Sequence, residues 1–284
     1  MTPDPAEQPA SRVSVVVVRG GGDLGSGVVV ALRRAGWRVV VQDLPRPTAL
    51  RLTVAFASAA LSGRVQVGEF TGVHAPTLDA VHQSLQCGNV PVWTGDLAEL
   101  LAQLRPHALV DARLRGLSDA DLTPAVAPVV VALGPGWRAG EHCTYVIETQ
   151  RGPDLGRVLD HGTAQLHTGI PGDVQGLTNE RLLRSPTAGV LRRHKEIGDL
   201  VEAGDVVATV DGQPVVAAIS GMIRGLRLDG LWTEQGRKVG DVDPRRDRTL
   251  LDVPSDKAER VGAGVVEALR RAPADPSDRH TAKP

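Results

Sequence analysis

The sequence predicts an α/β protein in which a Rossmann-like parallel sheet is followed by a β-rich domain and a C-terminal helix. Three observations predict this. Short β-branched runs alternate with stretches of helical period up to about residue 150, short apolar pieces separated by glycines follow, and part of the second half repeats itself. A chain of 284 residues is long enough for two such domains.

Residues 12–150 form the predicted Rossmann-like nucleotide-binding domain. Strands alternating with helices favour a parallel sheet covered on both faces. The predicted strands are Val13–Val18, Arg38–Val41, Val90–Trp93, Ala108–Val110 and Val129–Leu133. The predicted helices are Leu24–Ala35, Thr48–Leu61 and Leu97–Leu104.

Residues 151–254 form the predicted β-rich domain, and residues 255–272 a C-terminal helix that closes back on the rest. Ser255 is suited to the N-cap, and Val261, Val265 and Leu269 recur at helical spacing. The terminal segments 1–11 and 273–284 lack apolar periodicity, so we expect them to be disordered.

An internal repeat of 32 residues spans 187–243. Thr187–Asp211 aligns with Ile219–Asp243, with identities such as Gly189/Gly221 and Asp211/Asp243. Two interleaved halves would enclose one small core between two sheets, an arrangement that resembles the barrel-sandwich hybrid of biotinyl and lipoyl carrier domains. The hairpin Val207–Ala218 contains no lysine, so we expect no biotin or lipoate.

Composition excludes several classes of partner. Basic and acidic residues nearly balance at a net charge of -1, so we expect neither nucleic acid nor an anionic membrane as a partner. No apolar run approaches the roughly 18 residues of a membrane span. Cys87 and Cys143 form no CxxC pair, which favours a reducing cytoplasm.

Gly20, Gly22 and Gly25 satisfy the pattern GxGxxG between a predicted strand and a predicted helix. In that context the first glycine allows a sharp turn, the second lets a pyrophosphate approach the backbone, and the third lets helix and sheet pack closely. The amides at the start of the helix would face the anion. The alternative is that these glycines only form a tight corner.

Three charged residues accompany this motif. Asp43 ends the second predicted strand, where a carboxylate can accept hydrogen bonds from ribose hydroxyls and would repel a 2'-phosphate. Arg19 occupies a position that is usually apolar, and Asp23 brings a negative charge beside the amides. Arg19 could reach a phosphate and Asp23 could cap the helix.

The segment Ala132–Gly162 follows the last predicted parallel strand and carries further candidates. Gly134 and Gly136 would lie at the same sheet edge as Gly22, so both glycine loops could face one ligand. Glu148 and Arg151 are suited to an anionic or heteroaromatic ligand, or could form a surface ion pair.

No catalytic residue follows from the sequence, and no metal site is predicted. The sole tyrosine, Tyr145, has no lysine at the spacing of a Tyr-x-x-x-Lys pair. His142 and Cys143 are neighbours, and two neighbours on a strand cannot point at one metal.

Several stretches are similar to the selenium-dependent molybdenum hydroxylase system protein family of bacterial accessory proteins. They include Val18–Val28 "VRGGGDLGSGV", Gly134–Gly140 "GPGWRAG" and Thr168–Val190 "TGIPGDVQGLTNERLLRSPTAGV". The resemblance implies a role in maturation or cofactor supply of a molybdenum hydroxylase, with a hydroxylase subunit as partner and the molybdenum cofactor or a nucleotide as ligand. Pro153 and Thr144 stand where that family tends to have histidine.

Three functions therefore stand as expectations. The first is a cytoplasmic accessory protein that holds a nucleotide or the molybdenum cofactor. The second is an NAD-dependent oxidoreductase, because Asp43 favours NAD over NADP. The third is a scaffold whose nucleotide-type domain holds no ligand.

Overall fold

The computed structural model describes residues 15–116, 122–169 and 171–272. The expectation of disorder at 1–11 and 273–284 falls outside these residues, as does Val13 of the first predicted strand. The described part is a mixed α/β structure with one large, mostly parallel sheet, two antiparallel sheets and a C-terminal helix, which confirms the coarse fold class.

The large sheet has the order β3-β4-β5-β2-β1-β6-β7-β8-β9. Neighbouring strands from β4 to β8 are parallel, and antiparallel strands lie at both edges. Its strands are β1 (Val15–Arg19), β2 (Arg38–Gln42), β3 (Arg64–Val67), β4 (Phe70–His74), β5 (Val90–Trp93), β6 (Ala108–Asp111), β7 (Val129–Leu133), β8 (Tyr145–Ile147) and β9 (Val158–Leu159).

Helices cover both faces of this sheet because alternate valines of each central strand point to opposite sides. Val16 and Val18 pack with α1 (Asp23–Arg34) and α5 (Asp256–Arg271), whereas Val17 packs with α3 (Leu78–Gln86) and α4 (Leu97–Leu104). The predicted helices over α1, α4 and α5 are confirmed in kind. Ser255 caps α5 by accepting a hydrogen bond from the amide of Ala258.

The predicted helix Thr48–Leu61 is wrong. The segment forms two short 3₁₀ turns, Leu52–Val54 and Phe56–Ser58, before the four-residue α2 (Ala59–Ser62). Its backbone forms hydrogen bonds to helix α1 and to the glycine-rich turn before it. The Phe56 amide donates to Ser26 Oγ at 2.9 Å, and the Ala57 amide donates to the Gly21 carbonyl at 3.0 Å. These tertiary hydrogen bonds override the helical period.

The sheet also departs from regular strand and helix alternation. The hairpin β3–β4 and helix α3 lie in a region to which the sequence interpretation assigned no element. The connection from β7 to β8 contains no helix, and the helix that covers this end of the sheet is α5 from the chain terminus.

Two four-stranded antiparallel sheets enclose a separate apolar core that includes Leu191, Ile223 and Val242. One has the order β10-β17-β15-β12 and the other β14-β13-β11-β16. Their strands are β10 (Leu182–Arg184), β11 (Gly189–Arg193), β12 (Leu200–Val201), β13 (Val206–Val210), β14 (Gln213–Val216), β15 (Gly221–Leu226), β16 (Trp232–Thr233) and β17 (Lys238–Asp243).

The two halves of the repeat exchange strands. Strands β11, β12 and β13 belong to the first half, and β15, β16 and β17 occupy the equivalent positions in the second. Strand β12 pairs with β15, and β16 pairs with β11, so each sheet contains strands of both halves. Neither half can bury its apolar face alone, which explains why the two halves interleave.

Helix α1 meets the turn before it through Gly25. A Cβ on Gly25 would lie 1.8 Å from the Gly20 carbonyl oxygen, whereas a Cβ on Gly22 would meet only the Ala49 methyl at 3.6 Å. Gly25→Ala should therefore lower the free energy of unfolding by about 2 kcal/mol or more, since backbone must shift. Urea unfolding followed by circular dichroism measures this.

Gly22→Ala is the matched control and should change the free energy of unfolding by less than about 1 kcal/mol, because its φ of -73° suits alanine. An equal decrease in the free energy of unfolding in the two variants would contradict the proposed role of Gly25.

Candidate ligand-binding cleft

A cleft of about 320 Å³ lies at the carboxyl ends of β1, β2 and β6. Parallel α/β sheets commonly bind ligands at this edge. The lining residues come from the glycine turn, the start of α1 and the segments that follow β2 and β6. They are Arg19, Gly20, Gly22, Asp23, Leu24, Gly25, Gln42, Asp43, Leu44, Thr48, Ala49, Ala112, Arg113, Leu114 and Arg115.

The glycine turn, Gly20–Gly22, connects β1 to α1. Gly20 has a φ of +99°, a region that L side chains rarely adopt. Gly22 is the N-cap of α1, and no side chain in the described chain caps this helix. The first turn of α1 therefore lines the cleft, and no side chain of the described residues caps its amides.

Asp43 supports the turn directly. One carboxylate oxygen accepts a hydrogen bond from the Gly21 amide at 2.6 Å and the other from the Leu44 amide at 2.7 Å. Burial raises the pKa of Asp43 above its ordinary value, and the two hydrogen bonds from backbone amides offset only part of this rise. The residue lines the cleft as expected, and its hydrogen bond occupies the Gly21 amide, which therefore does not face a ligand.

Three arginines line the same cleft. The Arg113 guanidinium donates a hydrogen bond from Nη2 to Oδ2 of the fully buried Asp111 at 2.7 Å. The backbone amide of Arg113 donates a second hydrogen bond to the same carboxylate. Arg19 Nη1 lies 3.8 Å from Asp111. Asp111 thus orients two guanidinium groups at the mouth of the turn, and Arg115 follows on the same segment.

Asp23 does not cap α1, which corrects the expectation from the sequence. It is the first helical residue and forms an ion pair with Arg51 at 2.9 Å, and it also accepts a hydrogen bond from Ser255 Oγ. Its charge is therefore compensated by Arg51 instead of competing directly with a bound anion.

The central segment is not brought into this cleft. Gly134 has a φ of +76° and packs against Thr149 and Leu114, and Gly136 packs against Gly116. Leu114 is the residue that lines the cleft and lies beside Gly134. The two glycine loops are close neighbours across Leu114, but only the first contributes to the cleft.

Glu148 and Arg151 do not pair with each other. The buried Glu148 carboxylate accepts hydrogen bonds from the Gln150 and Gln165 amides at 2.7 and 2.8 Å, and so fixes the chain after β8. Arg151 instead pairs with Asp256 at the start of α5.

Arg113, Arg115 and Thr48 line the cleft but were not singled out from the sequence. The run "DARLR" at 111–115 directly follows a buried strand, and this position at the carboxyl edge was the signal for the two arginines.

Burial raises the pKa of the Cys143 thiol to about 12, so this group is a protonated core side chain.

The chain is similar in sequence to a protein of Escherichia coli. The chain is 42% identical over 255 residues to the uncharacterized protein YqeB of Escherichia coli K12, covering 90% of this chain and 47% of YqeB. The chain thus spans about half the length of that relative. No protein-family model matches the chain.

Solved structures give weaker matches. An aspartoacylase family protein from Mesorhizobium loti has a TM-score of 0.27 at 16% identity, with 81% of this chain and 85% of that chain covered. A succinylglutamate desuccinylase from a Silicibacter species has a TM-score of 0.23 at 15% identity, covering 81% and 84%. These scores are too low to transfer an activity to this chain.

These findings correct the resemblance drawn from the sequence. No family model matches, and the named relatives and structures include no molybdenum hydroxylase system protein. The expected role in hydroxylase maturation and the hydroxylase subunit as partner are therefore wrong. The expected NAD-dependent oxidoreductase and the finer fold names Rossmann and barrel-sandwich hybrid are likewise not supported by the matched structures. These are an aspartoacylase family protein, a succinylglutamate desuccinylase and an ectoine utilization protein.

The described residues contain no helix long and apolar enough to cross a bilayer. They also contain no cluster of three or more His, Cys, Asp or Glu side chains arranged to hold a metal ion.

The Arg151 hydrogen bonds lower the pKa of Asp256 to about 2. A lowered folded-state pKa stabilises the protein above the unfolded pKa of about 4, and this contribution is lost as the pH falls toward 2. Both side chains are substantially exposed, so Asp256→Asn should lower the free energy of unfolding at pH 7 by less than about 1 kcal/mol. Denaturant unfolding between pH 7 and pH 2.5 measures this.

The difference between Asp256→Asn and the unmodified protein should shrink below pH 4. A difference that stays constant down to pH 2.5 would show that the effect does not arise from ionisation of Asp256.

Proposed function

We propose that the protein binds a phosphorylated small molecule of the nucleotide class in the cleft at the glycine turn. The observation that carries this proposal is the uncapped first turn of α1, which lines the cleft together with Arg19, Arg113 and Arg115. Backbone amides and the helix dipole favour a phosphate at such a position.

The lack of a side chain at Gly22 supports the same class of ligand. Because nothing but the Ala49 methyl lies within 4 Å of a Cβ built there, the absence of a side chain is not required by packing. A glycine at this place instead leaves room for a ligand to reach the backbone.

Asp43 suits the sugar of a nucleotide. Each carboxylate oxygen already accepts one amide hydrogen bond and can accept another from a hydroxyl. Since burial raises the pKa of Asp43, hydroxyl donors would stabilise its ionised form. The cleft volume of about 320 Å³ falls at the lower end of the usual range for small-molecule sites.

The free thiols of Cys87 and Cys143 support the reducing cytoplasm as the location. No residue of the cleft is proposed as catalytic.

Gly22→Asp should weaken binding of ADP or CDP at least tenfold, because a carboxylate would enter the cleft and repel the phosphates. Isothermal titration calorimetry measures the dissociation constants. Gly88→Asp is the control for an added carboxylate, since Gly88 lies in an exposed turn after α3, outside the cleft and with open space around its Cα. Its φ of +74° strains the new side chain, so this variant should lose some stability but no affinity for nucleotide.

Gly88→Asp should bind these nucleotides like the unmodified protein. Equal affinities in Gly22→Asp and Gly88→Asp, or no nucleotide binding by the unmodified protein, would overturn the proposal.

A further inference from the structure

A second cavity of about 630 Å³ lies between the starts of α1 and α5 and the antiparallel sheets. Seven lysine and arginine side chains line it, against two aspartates. The whole chain has a net charge of -1, so this local excess of positive charge does not follow from composition. Cavities lined by one sign of charge concentrate ligands of the opposite sign.

Arg51 and Arg181 contribute buried guanidinium groups to this cavity, with only 6% and 5% of each residue exposed. Arg51 donates to Asp23 and to the carbonyls of Leu250 and Val253, but its buried Nε has no hydrogen-bond partner in the described chain. Buried polar groups are rarely left unsatisfied, because this costs about 1–3 kcal/mol each.

Arg181 is held in a similar way. Its Nη2 donates to the Gly172 carbonyl at 3.0 Å and its Nε to the Leu177 carbonyl at 3.3 Å. Its buried Nη1 has no hydrogen-bond partner among the described residues and lies 3.8 Å from Asp241. The protein therefore fixes two arginines by their other nitrogens and leaves a donor of each unused.

The two aspartates of the cavity offset only part of the charge of its seven cations. Asp23 is paired with Arg51, and Asp241 with Lys238 at 3.3 Å. Lys257, in the first turn of α5, has no carboxylate within ion-pair distance in the part of the chain that the structure describes. Burial and the nearby Arg151 lower the pKa of Lys257, as expected for a cation among cations.

We propose that this cavity binds a small polyanion, such as an oligophosphate or a polycarboxylate, with Arg51, Arg181 and Lys257 as principal contacts. Arg51 and Lys257 come from the α/β part and Arg181 from the start of the antiparallel sheets, so one anion would bridge both. Several separated cations favour a ligand with several negative groups over a single carboxylate.

The cavity is distinct from the cleft at the glycine turn. The two share only Asp23 and Leu114, and the three contacts named for the polyanion all lie outside the cleft. This proposal therefore does not depend on nucleotide binding at Gly22.

The experiment titrates the full chain with tripolyphosphate and, separately, with citrate by isothermal titration calorimetry at low salt. We expect saturable binding of at least one of them, with affinity falling as salt rises. Lys257→Met and Arg181→Met should each weaken that binding at least tenfold. Lys195→Met, which removes the same charge in the turn after β11, is the control and should bind normally.

The comparison of the two anions identifies whether phosphate or carboxylate groups are recognised. Gly22→Asp should retain polyanion binding, which separates this site from the cleft. Arg181 is buried, so Arg181→Met could fail to fold. Lys257 is only half-buried, so Lys257→Met still tests the proposal in that case. No binding of either anion, or equal affinity in Lys257→Met and Lys195→Met, would overturn the proposal.

Discussion

The close approach of helix α1 to the Gly20 carbonyl is the constraint on which the rest of the structure depends. Gly25 permits this approach, and the Asp43 hydrogen bond to the Gly21 amide holds the turn in place. Ser26 then connects the turn to the segment before α2 by accepting from the Phe56 amide and donating to the Gly21 carbonyl. A tightly fixed turn leaves the start of α1 uncapped at the carboxyl edge of the sheet.

The start of α1 also lies between the two candidate sites. Asp23 lines both the cleft and the basic cavity, where it pairs with Arg51 and contacts Ser255 at the start of α5. The N-termini of two helices therefore converge near one carboxylate, with arginines on either side. The dipole of α1 adds positive potential to both sites, and that of α5 adds to the basic cavity. This shared corner connects the α/β part to the antiparallel sheets.

The sequence predicted what local patterns encode. The valine runs predicted β1 and β2, the apolar spacing and Ser255 predicted α5, and the glycine pattern predicted the turn before α1. Helix α3 could also have been found, since Thr77 caps it and Val81 and Leu85 follow at helical spacing. The shape of the segment Thr48–Leu61 could not be predicted, because it is decided by hydrogen bonds that the Phe56 and Ala57 amides donate to Ser26 and Gly21.

The candidate sites were also predicted only where a local sequence pattern encodes them. Gly20, Gly22 and Asp43 were predicted from one short stretch, whereas Arg113 joined them only through the position of β6 beside β1. The basic cavity was invisible in the sequence because Arg51, Arg181 and Lys257 are far apart along the chain. The family resemblance failed for a different reason: shared short stretches suggested a function that the comparisons did not support.

The most direct test of the central claim is a nuclear magnetic resonance titration of the 15N-labelled chain with ADP, following the backbone amides of the first turn of α1. The account predicts saturable shift changes at Gly22, Asp23 and Leu24, because their amides would face the phosphate. Unchanged amide shifts at these three residues at saturating ADP would contradict it.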